Sequence, residues 1–104
     1  MDNRYSKSEA LLEKALRSIP LGTQTFSKSK IQFPKGVSPF FLKNGKGSHV
    51  WDVDGNEYID FINSLSAITL GYNDPDVNLA VQKQLEEGVI LSLPHTLEVE
   101  VAEK

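Results

Sequence analysis

A chain of 104 residues leaves room for one ordinary domain at most. A formal charge of -3 argues against a general binder of polyanions, and 24% charged with 39% hydrophobic residues argues against disorder. The absence of cysteine excludes a disulfide frame, a thiolate metal site and a cysteine nucleophile. The opening residues MDNRYSKSEALLEK lack the apolar core of a signal peptide, and no apolar run approaches the roughly 20 residues that cross a bilayer. A soluble, cytoplasmic protein with no membrane partner is expected.

Ser6 followed by Glu9 has the spacing of a capping box. Leu12, Ala15, Leu16 and Ile19 follow on one helical face, and Pro20 with Gly22 ends the helix. The stretch from Gly22 to Ser38 has neither helical nor strand period. A structureless loop of that length in a compact domain is uncommon and is often functional, here as a loop reaching over a ligand. Lys28, Lys30 and Lys35 interleave with Phe26 and Phe33, the pattern of a single-strand nucleic-acid binder. The negative net charge and the lack of an RNA-binding signature argue against that partner.

Three strands are predicted next. Phe40-Phe41-Leu42 is followed by a turn at Asn44-Gly45-Lys46-Gly47, then by His49-Val50-Trp51. Asp54-Gly55 supplies the positive dihedral of a hairpin turn, and Tyr58, Ile59 and Phe61 form the last strand. The run from Ile62 to Gly71 is small and apolar with scattered hydroxyls. It reads as a buried loop or short irregular strand that lines a crevice or packs against backbone, since buried small polar residues need partners. Asp74-Pro75 starts a helix whose inner face is Val77, Ala80, Val81 and Leu85, and Gly88 ends it. Thr96 reads as the cap of a further helix, although Leu97 to Val101 alternates as a strand would. The chain stops at Lys104 inside that pattern, as a cut sequence would.

Asp52, Asp54, Asn56 and Asp60 invite a calcium reading. An EF-hand loop wants glycine at its sixth position and glutamate at its twelfth. Counted from Asp52, glycine falls fourth and Asn63 twelfth, so turn chemistry is the better account and no metal is expected. Asp52 and Asp60 as an acid–base pair read instead as ordinary solvent-facing hairpin residues. His49 and His95 have no neighbour at metal-ligand spacing. The residues taken alone indicate a mixed α+β segment and no reaction.

The run Gly45-Lys46-Gly47 and then Val50-Trp51-Asp52-Val53-Asp54-Gly55-Asn56-Glu57-Tyr58-Ile59-Asp60-Phe61 resembles the N-terminal signature of class III aminotransferases, which use pyridoxal 5'-phosphate. Leu70-Gly71 and Asp74-Pro75 continue it. Pro94, Leu97-Glu98-Val99-Glu100 and Ala102-Glu103 resemble a phrase of the glutamate-1-semialdehyde aminomutase branch, as does the helix ending in Ile19-Pro20 with Gly22 after it. The resemblance implies the N-terminal part of an α/β fold-type I transferase, usually a homodimer, acting on a small-molecule amino donor and a carbonyl acceptor. The Schiff-base lysine and the cofactor-binding groups are expected beyond Lys104, so no catalytic residue is expected here and the chain alone should be inactive.

The resemblance divides the chain into an arm (1–22), a loop (23–38), the antiparallel meander (39–62) and connector helices (63–104). Lys28 falls where the aminomutase branch places an arginine for the substrate carboxylate, and Leu65 where it has a tryptophan. Lys28, Ser64 and Leu65 are accordingly the candidate substrate-binding residues. Lysine keeps the charge but loses the two-pronged geometry. Tyr72, Asn73 and Asp74 replace a His-x-His phrase. These departures favour an aminotransferase for another carbonyl, in amino-sugar or surface-polysaccharide synthesis, over a strict aminomutase. The rival is a non-catalytic binding or oligomerisation module built from the same segment.

Overall fold

The computed structural model describes residues 3–104. The chain divides into two units, Met1–Asn73 and Asp74–Lys104.

In the first unit α1 (Ser6–Ala15) leads through short 3-10 turns at Pro20–Gly22 and Phe26–Lys28 to a three-stranded antiparallel sheet, β1 (Leu42–Lys46), β2 (His49–Asp52) and β3 (Glu57–Ile59). The hairpin at Asp54-Gly55 forms as expected, with Gly55 at φ 93° and the Gly55 amide donating to the Asp52 carbonyl. The turn before β2 differs from the reading above. Asn44, Gly45 and Lys46 pair with Trp51, Val50 and His49, so β1 runs through the residues expected to turn, and the chain reverses at Gly47-Ser48. Gly45 is in the strand because the Tyr72 ring lies against it; a Cβ there would stand 2.6 Å from Tyr72 Cγ. Tyr72 also exchanges both backbone hydrogen bonds with Gly47, at 2.8 Å each, in a single bridge just past the end of β1. Phe61 lies beyond β3 and is exposed.

The two sheet faces differ. Val50, Asp52 and Tyr58 share the face that meets Tyr5 and Arg4 of the arm; Val50 and Tyr5 are buried and Asp52 is wholly so. His49, Trp51 and Glu57 share the other face. There His49 Nδ1 lies 2.9 Å from the Glu57 carboxylate and its ring stacks on Trp51.

The capping box at Ser6 and Glu9 does not form. Helix α1 has no side-chain cap of its own, and Asn3 takes Glu9, donating Nδ2 to its carboxylate at 3.0 Å. The helix amides are met from 47 and 46 residues away: Asp54 Oδ1 accepts from Lys7 N at 2.8 Å and Oδ2 from Ser8 N at 2.9 Å. A full carboxylate on two free amides at the positive end of a helix is a stronger partner than a serine hydroxyl. Helix α1 closes at Ala15, a turn earlier than Pro20 requires. Its apolar stripe meets Gly22, where a Cβ would stand 2.8 Å from Leu12 Cδ1.

After β3 the run expected to be a loop or irregular strand makes one left-handed turn, α2 (Asn63–Ser66), with φ of 53°, 46°, 57° and 72°. In the second unit Asp74 caps α3 (Pro75–Glu87), accepting from the amides of Asp76 and Val77, and Gly88 at φ 105° ends it. Helix α4 (Thr96–Ala102) overrides the strand-like alternation. Its cap is His95 rather than Thr96. The His95 Nδ1 accepts from Leu97 N at 3.1 Å, and the Glu98 carboxylate accepts from His95 N at 2.9 Å. The predicted inner face of α3 is exposed throughout, and no residue from 74 to 104 is buried.

Candidate functional site

Lys28 stands at the end of the Phe26–Lys28 turn, its side chain exposed. Both ends of its loop rest on α1. At the near end Gly22 packs under Leu12, Ala15 and Leu16. At the far end Ser8 Oγ accepts from Phe40 N at 2.8 Å and Phe41 N at 3.2 Å, and Tyr5 OH donates to the Val37 carbonyl. Between those contacts a groove of about 250 Å³ runs along the helix, lined by Leu12, Leu16, Phe40, Lys30 and Lys35 with Glu9 and Glu13. Lys35 stands 3.9 Å from Glu9. The long loop is thus stapled to one helix at both ends, not free coil. Ser29, beside Lys28, is fully buried, and its hydroxyl has no hydrogen-bond partner among the described residues. No period or motif in the sequence singled it out.

Ser64 and Leu65 occupy the middle of α2. Leu65 is 67% exposed. Left-handed backbone at four successive non-glycine residues costs about 1–2 kcal/mol per residue, and such strain is held only where neighbours impose it. The brace is Asp60. Its Oδ1 accepts from the amides of Ile62 (2.8 Å) and Asn63 (3.2 Å), while Oδ2 accepts from Tyr72 OH at 2.6 Å. Among the described residues no hydrogen bond or ion pair joins Lys28 to Ser64 or Leu65.

Asp52 and Asp60 are not the solvent-facing residues expected. Asp52 accepts from the amides of Asp54 and Asn56, from Asn56 Nδ2 and from Tyr58 OH, at 2.8–3.0 Å. Burial pushes its carboxyl up, but the hydrogen bonds from Asn56 and Tyr58 and the two amides outweigh burial and hold it below 3.8. Asp60 is lowered first by the Tyr72 hydroxyl, which outweighs its own burial, and then by the Ile62 and Asn63 amides. In turn Asp60 and burial push Tyr72 up to about 12, and burial with the hydrogen bond to Asp52 raises Tyr58 as well. Carboxylates held this firmly ionised are acceptors and braces, not proton donors near neutral pH.

A model of the aminotransferase class-III family matches residues 32–104. The chain belongs to the class III aminotransferases. A glutamate-1-semialdehyde 2,1-aminomutase of Bacillus licheniformis is 40% identical over 101 residues, covering 95% of this chain and 22% of that protein. Among solved structures, an omega-transaminase from Sphaerobacter thermophilus superposes with a TM-score of 0.80 at 33% identity, over 92% of this chain and 21% of its own. A glutamate-1-semialdehyde aminomutase of Pseudomonas aeruginosa in complex with PMP does so with a TM-score of 0.81 at 27% identity, over 96% and 21%. The class III chain described here therefore spans about a fifth of the length of the curated relatives it matches. Its helices and small antiparallel sheet are the N-terminal α+β segment of the fold-type I transaminase architecture.

The described residues do not form a seat for a pyridoxal phosphate. The amides of Leu65, Ala67 and Ile68 already donate to carbonyls within their own turn, leaving no open cradle there for a phosphate. The braced carboxylates of Asp52 and Asp60 are filled by hydroxyl and amide donors, so neither is free to meet a pyridine nitrogen.

Proposed function

We propose that the chain is the N-terminal part of a pyridoxal-phosphate-dependent aminotransferase or aminomutase that moves an amino group to a carbonyl substrate. The match to class III aminotransferases across residues 32–104 carries this reading. In it, residues 1–22 are an arm, 23–38 a substrate loop, 39–62 the meander and 63–104 the connector into the large domain. The remaining polypeptide supplies the cofactor site, and the protein works as a cytoplasmic homodimer. The exposed apolar residues of α3 and α4, such as Val77, Leu85 and Val101, support a segment completed by further polypeptide.

Lys28, Ser64 and Leu65 contribute to the substrate side. An exposed ammonium on a loop fixed at both ends suits a substrate carboxylate or another anionic group. An exposed leucine on a braced, strained turn suits a substrate wall. Lysine and leucine at these two places favour a carbonyl acceptor other than glutamate semialdehyde, with amino-sugar or surface-polysaccharide precursors as the class.

The test uses the full-length polypeptide with pyridoxal phosphate, a panel of amino donors, and keto-sugar or semialdehyde acceptors. Nitrogen transfer is expected, and Lys28→Ala should raise KM for an anionic acceptor about tenfold to a hundredfold, the value of a charge-assisted hydrogen bond. A protein that binds no pyridoxal phosphate at full length would leave the non-catalytic module as the reading.

A further inference from the structure

The contacts of the hairpin tip extend beyond the turn itself. Asp54 places both carboxylate oxygens on the first free amides of α1, at 2.8 and 2.9 Å. Asn56, two residues on, holds Arg4 by two bonds: Arg4 Nε donates to Oδ1 at 3.0 Å, and Nδ2 donates to the Arg4 carbonyl at 3.1 Å. The Arg4 guanidinium lies over the rings of both Tyr5 and Tyr58, 5.7 and 5.5 Å from their centroids. The tip is itself rigid, because buried Asp52 gathers the amides of Asp54 and Asn56 and the Tyr58 hydroxyl on one carboxylate. Helix α1 in turn carries both ends of the 23–38 loop, through Gly22 beneath Leu12 and through Ser8 and Tyr5 on Phe40, Phe41 and Val37. Hydrogen bonds and packing therefore lead from Asp54 through α1 to both ends of the loop that carries Lys28.

We propose that Asp54 is a positioning residue, which caps α1 from the hairpin tip and so sets where the loop bearing Lys28 lies. The proposal rests on the reading that Lys28 receives an anionic group of the substrate. A capping acceptor that arrives 46 residues later in the chain is satisfied only when arm and sheet are docked, so it fixes a tertiary placement that a local cap would leave free. Asp54 has two acceptor oxygens for two amides. Asparagine retains one, and alanine none.

The experiment uses the full-length holoenzyme with D54A, D54N, K28A and the D54A/K28A pair. Amide hydrogen exchange of the peptide holding Lys7 and Ser8 should lose protection about five- to tenfold in D54A and less in D54N. In the same variants KM for the anionic acceptor should rise several-fold with kcat held within about twofold, in the order D54A above D54N. On the K28A background D54A should add nothing further to KM, since both act through one group. Unchanged protection in D54A overturns the cap. Lost protection with unchanged KM, or an additive rise on K28A, overturns the positioning role and leaves a purely structural contact. K28A without effect on KM overturns the assignment of Lys28 and the positioning with it, and the exchange data then report the cap on its own.

Discussion

Replacing Asp52 with alanine is the sharpest test of the physical account of the sheet. The carboxylate is completely buried and accepts four hydrogen bonds, at 3.0, 2.8, 2.8 and 2.8 Å, from Asp54 N, Asn56 N, Asn56 Nδ2 and Tyr58 OH. Removing it strands donors that water cannot readily reach, at about 1–3 kcal/mol for each one left unpaired. With two of the four donors left unpaired, the loss is about 3–5 kcal/mol. Asp52→Asn is milder but not silent. Its amide nitrogen would face Asn56 Nδ2, donor against donor, and Asn56 cannot turn over without surrendering Oδ1 to which Arg4 donates. Native-state hydrogen exchange at Asp54 and Asn56 reads the loss directly, and 3 kcal/mol corresponds to about a hundredfold faster exchange at these amides. A D52A protein whose hairpin amides stay protected within about twofold would refute the reasoning, because the carboxylate would then not be what organises the tip.

Other outcomes follow from the same geometry. Asp52 and Asp60 are lowered in the folded state, so the stability they contribute is full above their unfolded value near 3.8 and is lost as pH falls through their folded values. Protection of the hairpin amides and of Ile62 and Asn63, taken relative to the intrinsic exchange rate at each pH, should therefore fall below about pH 4, and a fall already at pH 6 would contradict the shift. Tyr72 is raised to about 12, so its contribution is intact below pH 10 and is lost as pH rises towards 12. A Tyr72 whose ring signals titrate at the ordinary value of about 10 would refute the bond to Asp60. Gly45→Ala forces a methyl to within 2.6 Å of the Tyr72 ring and should cost about 1–3 kcal/mol, with Tyr72→Ala relieving most of the clash in the double variant. Ser66→Gly, at φ 72°, should stabilise α2 by about 1 kcal/mol, measured as slower exchange through residues 66–68.

How much of this was legible in advance varies by element. The Asp54-Gly55 hairpin, the Asp74-Pro75 start of α3 and its stop at Gly88 could be read, because each depends on residues adjacent in the chain. Helix α4 forms where it was read, against the strand-like alternation of Leu97 to Val101, with the cap one residue earlier at His95, whose ring and amide pair with Leu97 N and Glu98. The Ser6–Glu9 spacing was a valid local signal that lost to a distant carboxylate. Asp52 and Asp60 looked like surface turn residues because nothing in their neighbourhood reveals that Tyr58 and Tyr72 turn towards them. The candidate residues Lys28, Ser64 and Leu65 came from a resemblance. The left-handed backbone under the latter two has no signature in a run without glycine between 62 and 70.

Local chemistry in the amino-acid order sufficed for the sheet's central hairpin and the ends of α3, since turn dihedrals, proline and caps act over a few bonds, while the family was legible only as a resemblance carried by the phrase from Gly45 to Phe61. The tertiary structure alone decided which carboxylate caps α1, why Gly45 is a strand residue and what holds α2 in its strained turn. Each of those choices is a competition among partners tens of residues apart or across the sheet, and the winner is the group that folding delivers within hydrogen-bond reach.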